Sequence, residues 1–400
     1  MTARITSGIN KKRLSANRCG EGTSMDFVLH EGGSLAFTAE KCDAVTVCEK
    51  NCSTSAVSTI DISGMWNISK NQPNVLVLEY ASYRKGDEEY SRDYPILAIH
   101  DILIAENYHG KLTLKFTFKA EKEFKNLSLA LEDAEMQEVV FNGVKAESYD
   151  GKSYYMSRDF KVVKLPDVCK AGENTLEITR EYAPLAKFKS AITSLFESLG
   201  GVELEAMYLL GDFGVSAKTE YTRNGLVRFS GNFSLTESQN TAGANLLLSG
   251  LPFYTGTVEL RKTINVSAED AGKNAVLDIK EFHGCVADVY ANGVYCGDVM
   301  WFPYTADLTG KLREGENEIV IKLTNTLRNL LGPSHRPVGD IGALWAGYSN
   351  PNGCWLGHDP HNPGRIWYED RISDTGRWSD SYFLAQFGID DVSIRFTDKV

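Results

Sequence analysis

The chain has 400 residues, a formal net charge of −11, and 42% apolar against 24% charged residues. This size and composition indicate two or three globular domains with sizeable cores, and they exclude a disordered or fibrous chain. The acidic balance argues against nucleic acid or an anionic membrane surface as the main partner, because both reward clustered Lys and Arg. It is compatible with a neutral ligand.

The first 70 residues contain alternating apolar stretches such as MDFVLH, SLAFTA and DAVTVC, which predict strands without partners to complete a fold. We therefore interpret this segment as the tail of a larger unit. It lacks an apolar stretch of signal-peptide length, and no later stretch approaches a membrane span, which predicts no membrane partner and favours the cytoplasm while leaving a parent protein's compartment open. Cys42, Cys48 and Cys52 lack the tight spacing of zinc ligands, so free thiols are the preferred interpretation.

A pair of turns occurs twice in the chain. An Asn-Gly dipeptide is followed by a Gly-Glu-Asn turn in each copy, first as Asn142-Gly143 with Gly172-Glu173-Asn174, and then as Asn292-Gly293 with Gly315-Glu316-Asn317. Asn-Gly between alternating residues favours a type I′ hairpin, whose two central residues need positive φ. The copies are offset by 150 residues at Asn142 and Asn292, and by 143 at Gly172 and Gly315. A whole domain is therefore predicted to be duplicated.

Short strand-like runs separated by Gly, Asn, Asp and Pro continue from residue 74 to the end, which predicts an all-β chain of tandem sandwiches. We divide it into a partial β segment (1–70), a first sandwich (71–235) and a second sandwich (236–400). One helix is predicted over 185–199, where apolar residues recur at three- and four-residue steps. The eight alternating strand and helix units of a catalytic barrel are not found.

Three stretches carry a family resemblance: ELEAMYLLGDFGV, GLPFYTGTVELRKT and NTLRNLLGP. They resemble the C-terminal part of large glycoside hydrolases, in particular alpha-L-rhamnosidases of glycoside hydrolase family 106 and relatives with family 2-like sugar-binding domains. The resemblance runs from about residue 60 to the end. It implies galactose-binding-like jelly-roll domains that follow a catalytic barrel, and hence a C-terminal piece or truncated paralogue without its own catalytic residues.

Four aromatic residues are candidates for carbohydrate contact: Trp301 and Tyr304 after the second hairpin, and Trp355 and Trp367 in the C-terminal excursion. Aromatic faces suit the apolar C–H faces of pyranose rings, while nearby polar groups bond the hydroxyls. The alternative is that these rings fill the sandwich core or cover its open edge.

Polar candidates follow the second Gly-Glu-Asn strand: Asn325, Arg328, Asn329 and His335. They are placed to contact a glycan or a neighbouring domain, and the resemblance favours interface or substrate contact. The alternative is a segment anchored by the packing of Leu327, Leu330 and Leu331, with Arg328 solvated or in a salt bridge.

His358 is a further candidate for carbohydrate contact, and it lies with Asp359 and His361 in a Pro-containing loop. We expect the polar groups of this loop to bond one another in preference to holding a metal ion. No cofactor is predicted, and the sequence leaves open whether the chain binds structural calcium. Glu203 and Glu205 invite an acid/base interpretation, but their alternation along a strand favours a solvated or interdomain face.

The sequence therefore predicts a carbohydrate-associated, rhamnosidase-like region that supports the substrate site of an upstream catalytic domain. Two rivals stay open: a stand-alone lectin-like binding protein and a purely structural interdomain module. The leading hypothesis predicts no turnover of aryl glycosides by the purified chain.

Overall fold

The computed structural model describes residues 58–184, 201–221, 225–332, 334–335 and 379–398, together with the backbone of five strands near the N-terminus. Those five are β1 (Thr2–Ser7), β2 (Lys12–Leu14), β3 (Asn17–Cys19), β4 (Gly22–Ser24) and β5 (Phe37–Cys42). β1 pairs antiparallel with β2 and β5, and β3 pairs with β4. The predicted helix over 185–199 lies outside the described residues.

The next strands are β6 (Ser58–Asp61), β7 (Trp66–Lys70), β8 (Asn74–Leu78), β9 (Tyr80–Lys85), β10 (Tyr94–Pro95), β11 (Gly110–Ala120), β12 (Ser128–Leu131), β13 (Glu138–Phe141), β14 (Val144–Lys145), β15 (Tyr154–Tyr155), β16 (Ser157–Lys164), β17 (Gly172–Tyr182) and β18 (Met207–Gly211). The remaining strands are β19 (Gly214–Ser216), β20 (Thr219–Tyr221), β21 (Val227–Phe229), β22 (Ser234–Thr236), β23 (Thr241–Ala242), β24 (Thr257–Val266), β25 (Asn274–His283), β26 (Val286–Ala291), β27 (Val294–Val299), β28 (Thr305–Asp307), β29 (Gly315–Thr324), β30 (Tyr382–Leu384) and β31 (Gly388–Thr397). The predicted all-β fold is confirmed.

The first sandwich packs two sheets around a shared apolar core. One sheet has the order β10-β9-β11-β17-β13-β14, extended by β22 and β19 beside β11, and the other has the order β15-β16-β12-β18-β8. Phe116 and Ile178 of the first sheet and Leu129 and Leu209 of the second are almost fully buried in that core. Such burial of alternate residues is the main source of stability of a sandwich.

The second sandwich repeats this topology with its own strands. Its sheets have the orders β23-β7-β24-β29-β26-β27 and β28-β25-β31-β6. The central order β7-β24-β29-β26-β27 matches β9-β11-β17-β13-β14, with the two predicted turn signatures at equivalent places. The duplication predicted from the turns is therefore present in the strand order.

The two sandwiches are nested. β6 pairs with β31 and β7 pairs with β24, so residues 58–70 belong to the second sandwich although they precede the first. β23, which resumes the second sandwich, lies beside β7. The first sandwich is thus inserted between β7 and β23, whose adjacency lets an inserted domain leave and return at one place. The sequence division at residue 70 did not foresee this order, because strand pairing over such distances has no local signal.

Three short α-helices and two 3-10 helices, Ala134–Met136 and Leu246–Ser249, complete the described part. The α-helices, named in chain order, are α1 (Ile96–Ala105), α2 (Ala268–Ala271) and α3 (Arg328–Leu331). α1 packs on the first sandwich through Ile96, Ile99 and Leu103, which recur on one helical face and are fully or nearly fully buried. The sequence did not predict α1. None of the described helices is long and apolar enough to cross a membrane.

Candidate functional site

Two surfaces of the described chain carry side chains suited to ligand binding. The first is the aromatic end of the second sandwich, formed by Phe282, Trp301, Phe302 and Tyr304. The second is an acidic cleft between the first sandwich and the small sheet β20-β21-β30, with the carboxylates of Glu79, Asp93 and Asp380 in its lining.

The aromatic end lies where β27 crosses over to β28. Tyr304 stacks on Phe282 with ring centroids 4.7 Å apart and planes inclined by 27°. Phe302 meets the edge of Tyr304 at 5.9 Å and 89°. Trp301 and Phe302 nevertheless stay 58% and 51% exposed. The inner rings therefore fix a loop that presents the outer rings to solvent.

The polar candidates of the NTLRNLLGP motif begin at the same end, because Thr324 at the end of β29 pairs with Val286 at the start of β26. The side chain of Asn325 accepts from the Gly256 backbone N–H at 3.0 Å and donates to the Tyr254 carbonyl at 2.7 Å. Asn329 donates to the Ala385 carbonyl at 2.8 Å and accepts from its N–H at 2.9 Å. Both amides therefore bond the protein's own backbone, which favours the packing alternative for these two residues.

Arg328 is half-buried at the start of α3, where its backbone N–H donates to Thr326 Oγ1 at 3.1 Å. Its neighbour Leu330 is buried, while Leu327 and Leu331 are 41% and 46% exposed. The predicted anchoring by leucines thus depends mainly on Leu330. Trp355, His358 and Trp367 lie outside the described residues.

His335 lies behind the acidic cleft and is buried. Its Nε2 is 3.0 Å from Glu79 Oε1, and its Nδ1 is 2.7 Å from the Ser379 carbonyl oxygen. The Ser379 carbonyl oxygen only accepts hydrogen bonds, so Nδ1 donates to it and Nε2 is left to pair with the carboxyl group of Glu79.

Glu79 is held as an ionised group. Burial would raise the pKa of its carboxyl, but the charge of His335 and hydrogen bonds from His335 and Tyr382 outweigh burial and hold the pKa below its usual value. Burial, with a contribution from the Glu79 charge, keeps the pKa of Tyr382 well above its usual value, so the phenol stays a donor. Sequence reasoning missed Glu79 and Tyr382, because Glu79 and His335 lie 256 residues apart.

The cleft has a volume of about 370 Å³. Its lining includes Leu78, Glu79 and Phe118 together with the loop 230–233. At the rim, Tyr80 Oη donates to Asp380 Oδ1 at 3.3 Å. Among the described residues that line it, none is Lys or Arg. The cleft therefore combines hydrogen-bond acceptors with aromatic and aliphatic walls, which is the usual make-up of a small-molecule site.

A third cluster contains the two glutamates that the sequence analysis considered for acid/base chemistry. Burial and the charges of Glu203 and Glu132 raise the pKa of Glu205 to about 7, although the residue as a whole is exposed. Within the described part of the chain, no group of three or more His, Cys, Asp or Glu side chains is arranged to hold a metal ion.

The chain was compared with known proteins. No family model matches it. A 91-residue segment is 30% identical to a putative beta-glucuronidase of Formosa agariphila, covering 22% of this chain and 8% of that protein.

Solved structures with partial similarity include two rhamnosidases. That of Novosphingobium sp. PP1Y has a TM-score of 0.21 and 15% identity over 64% of this chain and 21% of its own. The alpha-L-rhamnosidase of Streptomyces avermitilis has a TM-score of 0.27 and 12% identity over 66% of this chain and 25% of its own. The beta-glucuronidase of Bifidobacterium dentium has a TM-score of 0.22 and 21% identity over 37% of this chain and 22% of its own. This chain thus spans a quarter or less of the length of each of these proteins.

Proposed function

We propose that this chain is a carbohydrate-binding β-sandwich region that works with a glycoside hydrolase catalytic domain, and that Trp301 is its sugar platform. The observation that carries the proposal is the exposure of Trp301 and Phe302 on a loop fixed by the Phe282–Tyr304 stack. The segment similar to a putative beta-glucuronidase supports the glycosidase association. Rhamnose or a rhamnoside as the sugar is a narrower proposal that rests on the family resemblance.

The physical reason for assigning sugar to this loop is the match between an indole face and a pyranose ring. A pyranose has one or two faces made of C–H groups. When such a face packs on an aromatic ring, apolar surface of both is removed from contact with water. Orientation then needs polar groups at the platform's edge. His283 follows Phe282 in the chain and is half-buried, with its Nε2 3.7 Å from Glu281 Oε2, so it is available at this end of the sandwich.

The proposal assigns binding and not hydrolysis to the described residues. They form two sandwiches and a small sheet, and no β/α barrel is found among them. Hydrolysis needs an acid and a base on either side of one glycosidic bond. Glu132, Glu203 and Glu205 line one cavity of about 20 Å³, which is too small for a sugar ring.

The test is a binding screen on the whole chain. A glycan array followed by calorimetry is expected to find at least one glycan with a dissociation constant in the micromolar to millimolar range. Aryl rhamnosides and aryl glucuronides are expected to show no turnover above the buffer rate. Turnover that survives repurification would overturn the assignment of binding alone, and a completely negative array would favour a structural module.

A further inference from the structure

The acidic cleft is a second candidate site, separate from the aromatic end. We propose that it binds a monosaccharide-sized ligand that is rich in hydroxyl groups and carries no negative charge, such as a neutral or amino sugar, and that it excludes uronic acids. This inference does not depend on Trp301 or on the glycosidase association.

Size and shape are the first argument. A cleft of about 370 Å³ falls in the lower part of the range of small-molecule sites. Its apolar surfaces come from Leu76, Leu78 and Phe118 on the first sandwich. Phe233 and Tyr382 add a facing aromatic wall and pack edge to face with centroids 5.0 Å apart. The walls are therefore rigid and suited to the C–H face of one ring.

The second argument is the balance of donors and acceptors. Glu79, Asp93 and Asp380 supply carboxylate oxygens, while Ser230 and Asn232 supply a hydroxyl and an amide on the opposite side. Carboxylates accept hydrogen bonds from hydroxyl and ammonium groups, and these charge-assisted bonds are about twice as strong as neutral ones. A ligand that offers many O–H or N–H donors therefore fits this lining.

The third argument is the preorganisation of Glu79. His335 and Tyr382 hold this carboxylate in place, and His335 is itself fixed by the Ser379 carbonyl. Glu79 lines the cleft, and its side chain is 18% exposed. An acceptor that is already oriented and ionised loses little freedom when a ligand binds.

The charge pattern sets the selectivity. The charge of Glu79 is matched by His335, whereas Asp93 lies exposed in the lining of the cleft. A ligand carboxylate placed here meets Asp93, and juxtaposed like charges oppose binding. An ammonium group on the ligand is attracted by the same negative charge. The order of affinity is therefore amino sugar, then neutral sugar, then uronate.

The experiment uses three sugars with one ring and different charges: D-glucose, D-glucosamine and D-glucuronate, with the corresponding galacto series in parallel. Binding to the whole chain is measured by ligand-observed NMR at low salt. Glucosamine and glucose, or their galacto counterparts, are expected to bind, with the uronate at least about tenfold weaker. Asp93→Asn is expected to reduce the difference in affinity between the neutral sugar and the uronate severalfold. Asn232→Ala is expected to lower the affinity for every sugar that binds.

Tyr154→Ala changes an exposed aromatic residue outside both sites and is the control, so it is expected to leave the three affinities unchanged. Both Asp93 and Asn232 are exposed, so these variants are expected to fold. Uronate binding as tight as that of the neutral sugar would overturn the proposal. So would the absence of binding in both series, or binding that Trp301→Ala abolishes and Asp93→Asn leaves intact.

Discussion

The side-chain amide of Asn292 donates a hydrogen bond of 2.8 Å to Oδ1 of Asn317. Asn142 and Asn174 make the same bond at the same length in the first sandwich. In each copy the first Asn comes from the Asn-Gly turn and the second from the Gly-Glu-Asn turn. The two turns of the signature are therefore joined by one hydrogen bond in each sandwich, and this bond ties the hairpin to the strand beside it.

The Asn317 side chain is predicted to be a main determinant of the second sandwich's stability. It is buried, accepts from the Arg313 N–H at 2.9 Å, and donates to the carbonyls of Arg313 and Gly315 at 2.7 and 2.9 Å. Asn317→Ala leaves these groups without partners and should lower the free energy of unfolding by about 2–4 kcal/mol. Urea unfolding measures the loss. Asn265 is exposed in the same sandwich, so Asn265→Ala should change the free energy of unfolding by less than about 0.5 kcal/mol. An equal loss of stability in both variants would contradict the predicted role of Asn317.

Glycine is predicted to be needed at position 293 because of its backbone conformation, and not because a side chain would lack room. Its φ is +77°, and a Cβ added there would meet nothing within 4 Å. Gly293→Ala should therefore cost about 1 kcal/mol through the left-handed backbone alone. Gly272 has a φ of −86° and equally open space, so Gly272→Ala should be neutral or slightly stabilising. Thermal unfolding of the pair checks this, and equal shifts in melting temperature would count against it.

The ion pair of Glu79 with His335 predicts an acid-dependent loss of stability. The folded-state pKa of Glu79 is below its ordinary value of 4.5. Its contribution is therefore fully present above 4.5 and is lost as the pH falls through the lower folded value. Glu79→Gln removes the carboxylate that pairs with His335 and should cost about 3 kcal/mol at pH 7. Chemical unfolding at pH 7 and pH 3 measures the difference between variant and parent, which should shrink at pH 3; a constant difference would argue against the ion pair.

Glu205 predicts a pH effect of opposite sign. Its pKa is raised to about 7, mainly by burial. The folded state therefore holds the proton more tightly than the unfolded state, and stability falls as the pH rises from about 4.5 toward and beyond 7. Glu205→Gln removes this penalty and should stabilise the chain at pH 8 by less than about 1 kcal/mol, because the residue is exposed. The gain should vanish near pH 4. A similar gain from the exposed Glu147→Gln would show that the effect is not specific to this cluster.

Much of the fold was predictable because its signals are local. Alternating apolar residues predicted β24 and β29, and both Asn-Gly turns adopt the positive φ that the sequence demanded. α1 was missed because ILAIHDILIA is apolar nearly all round, so its helical spacing resembles a buried strand. The insertion of the first sandwich was missed because the pairing of β6 with β31 joins residues more than three hundred positions apart.

The candidate site was predictable only in part. Trp301 and Tyr304 were proposed as sugar contacts because they are aromatic residues that follow a hairpin turn. The structure adds that the Trp301 ring is exposed and the Tyr304 ring is stacked on Phe282. Asn325 and Asn329 have the same chemistry as sugar-binding amides, and only their contacts reveal that they bond the backbone. The acidic cleft is formed by segments that are distant in the chain, so no single stretch of sequence predicts it.

The most direct test of the proposed function compares two equally exposed aromatic residues. Trp301 in the second sandwich is 58% exposed and Tyr154 in the first is 57% exposed. With a glycan identified on the array, calorimetry on Trp301→Ala should show at least about a tenfold loss of affinity, whereas Tyr154→Ala should bind as the parent does. Unchanged binding in Trp301→Ala would contradict the assignment of the aromatic end as the sugar platform.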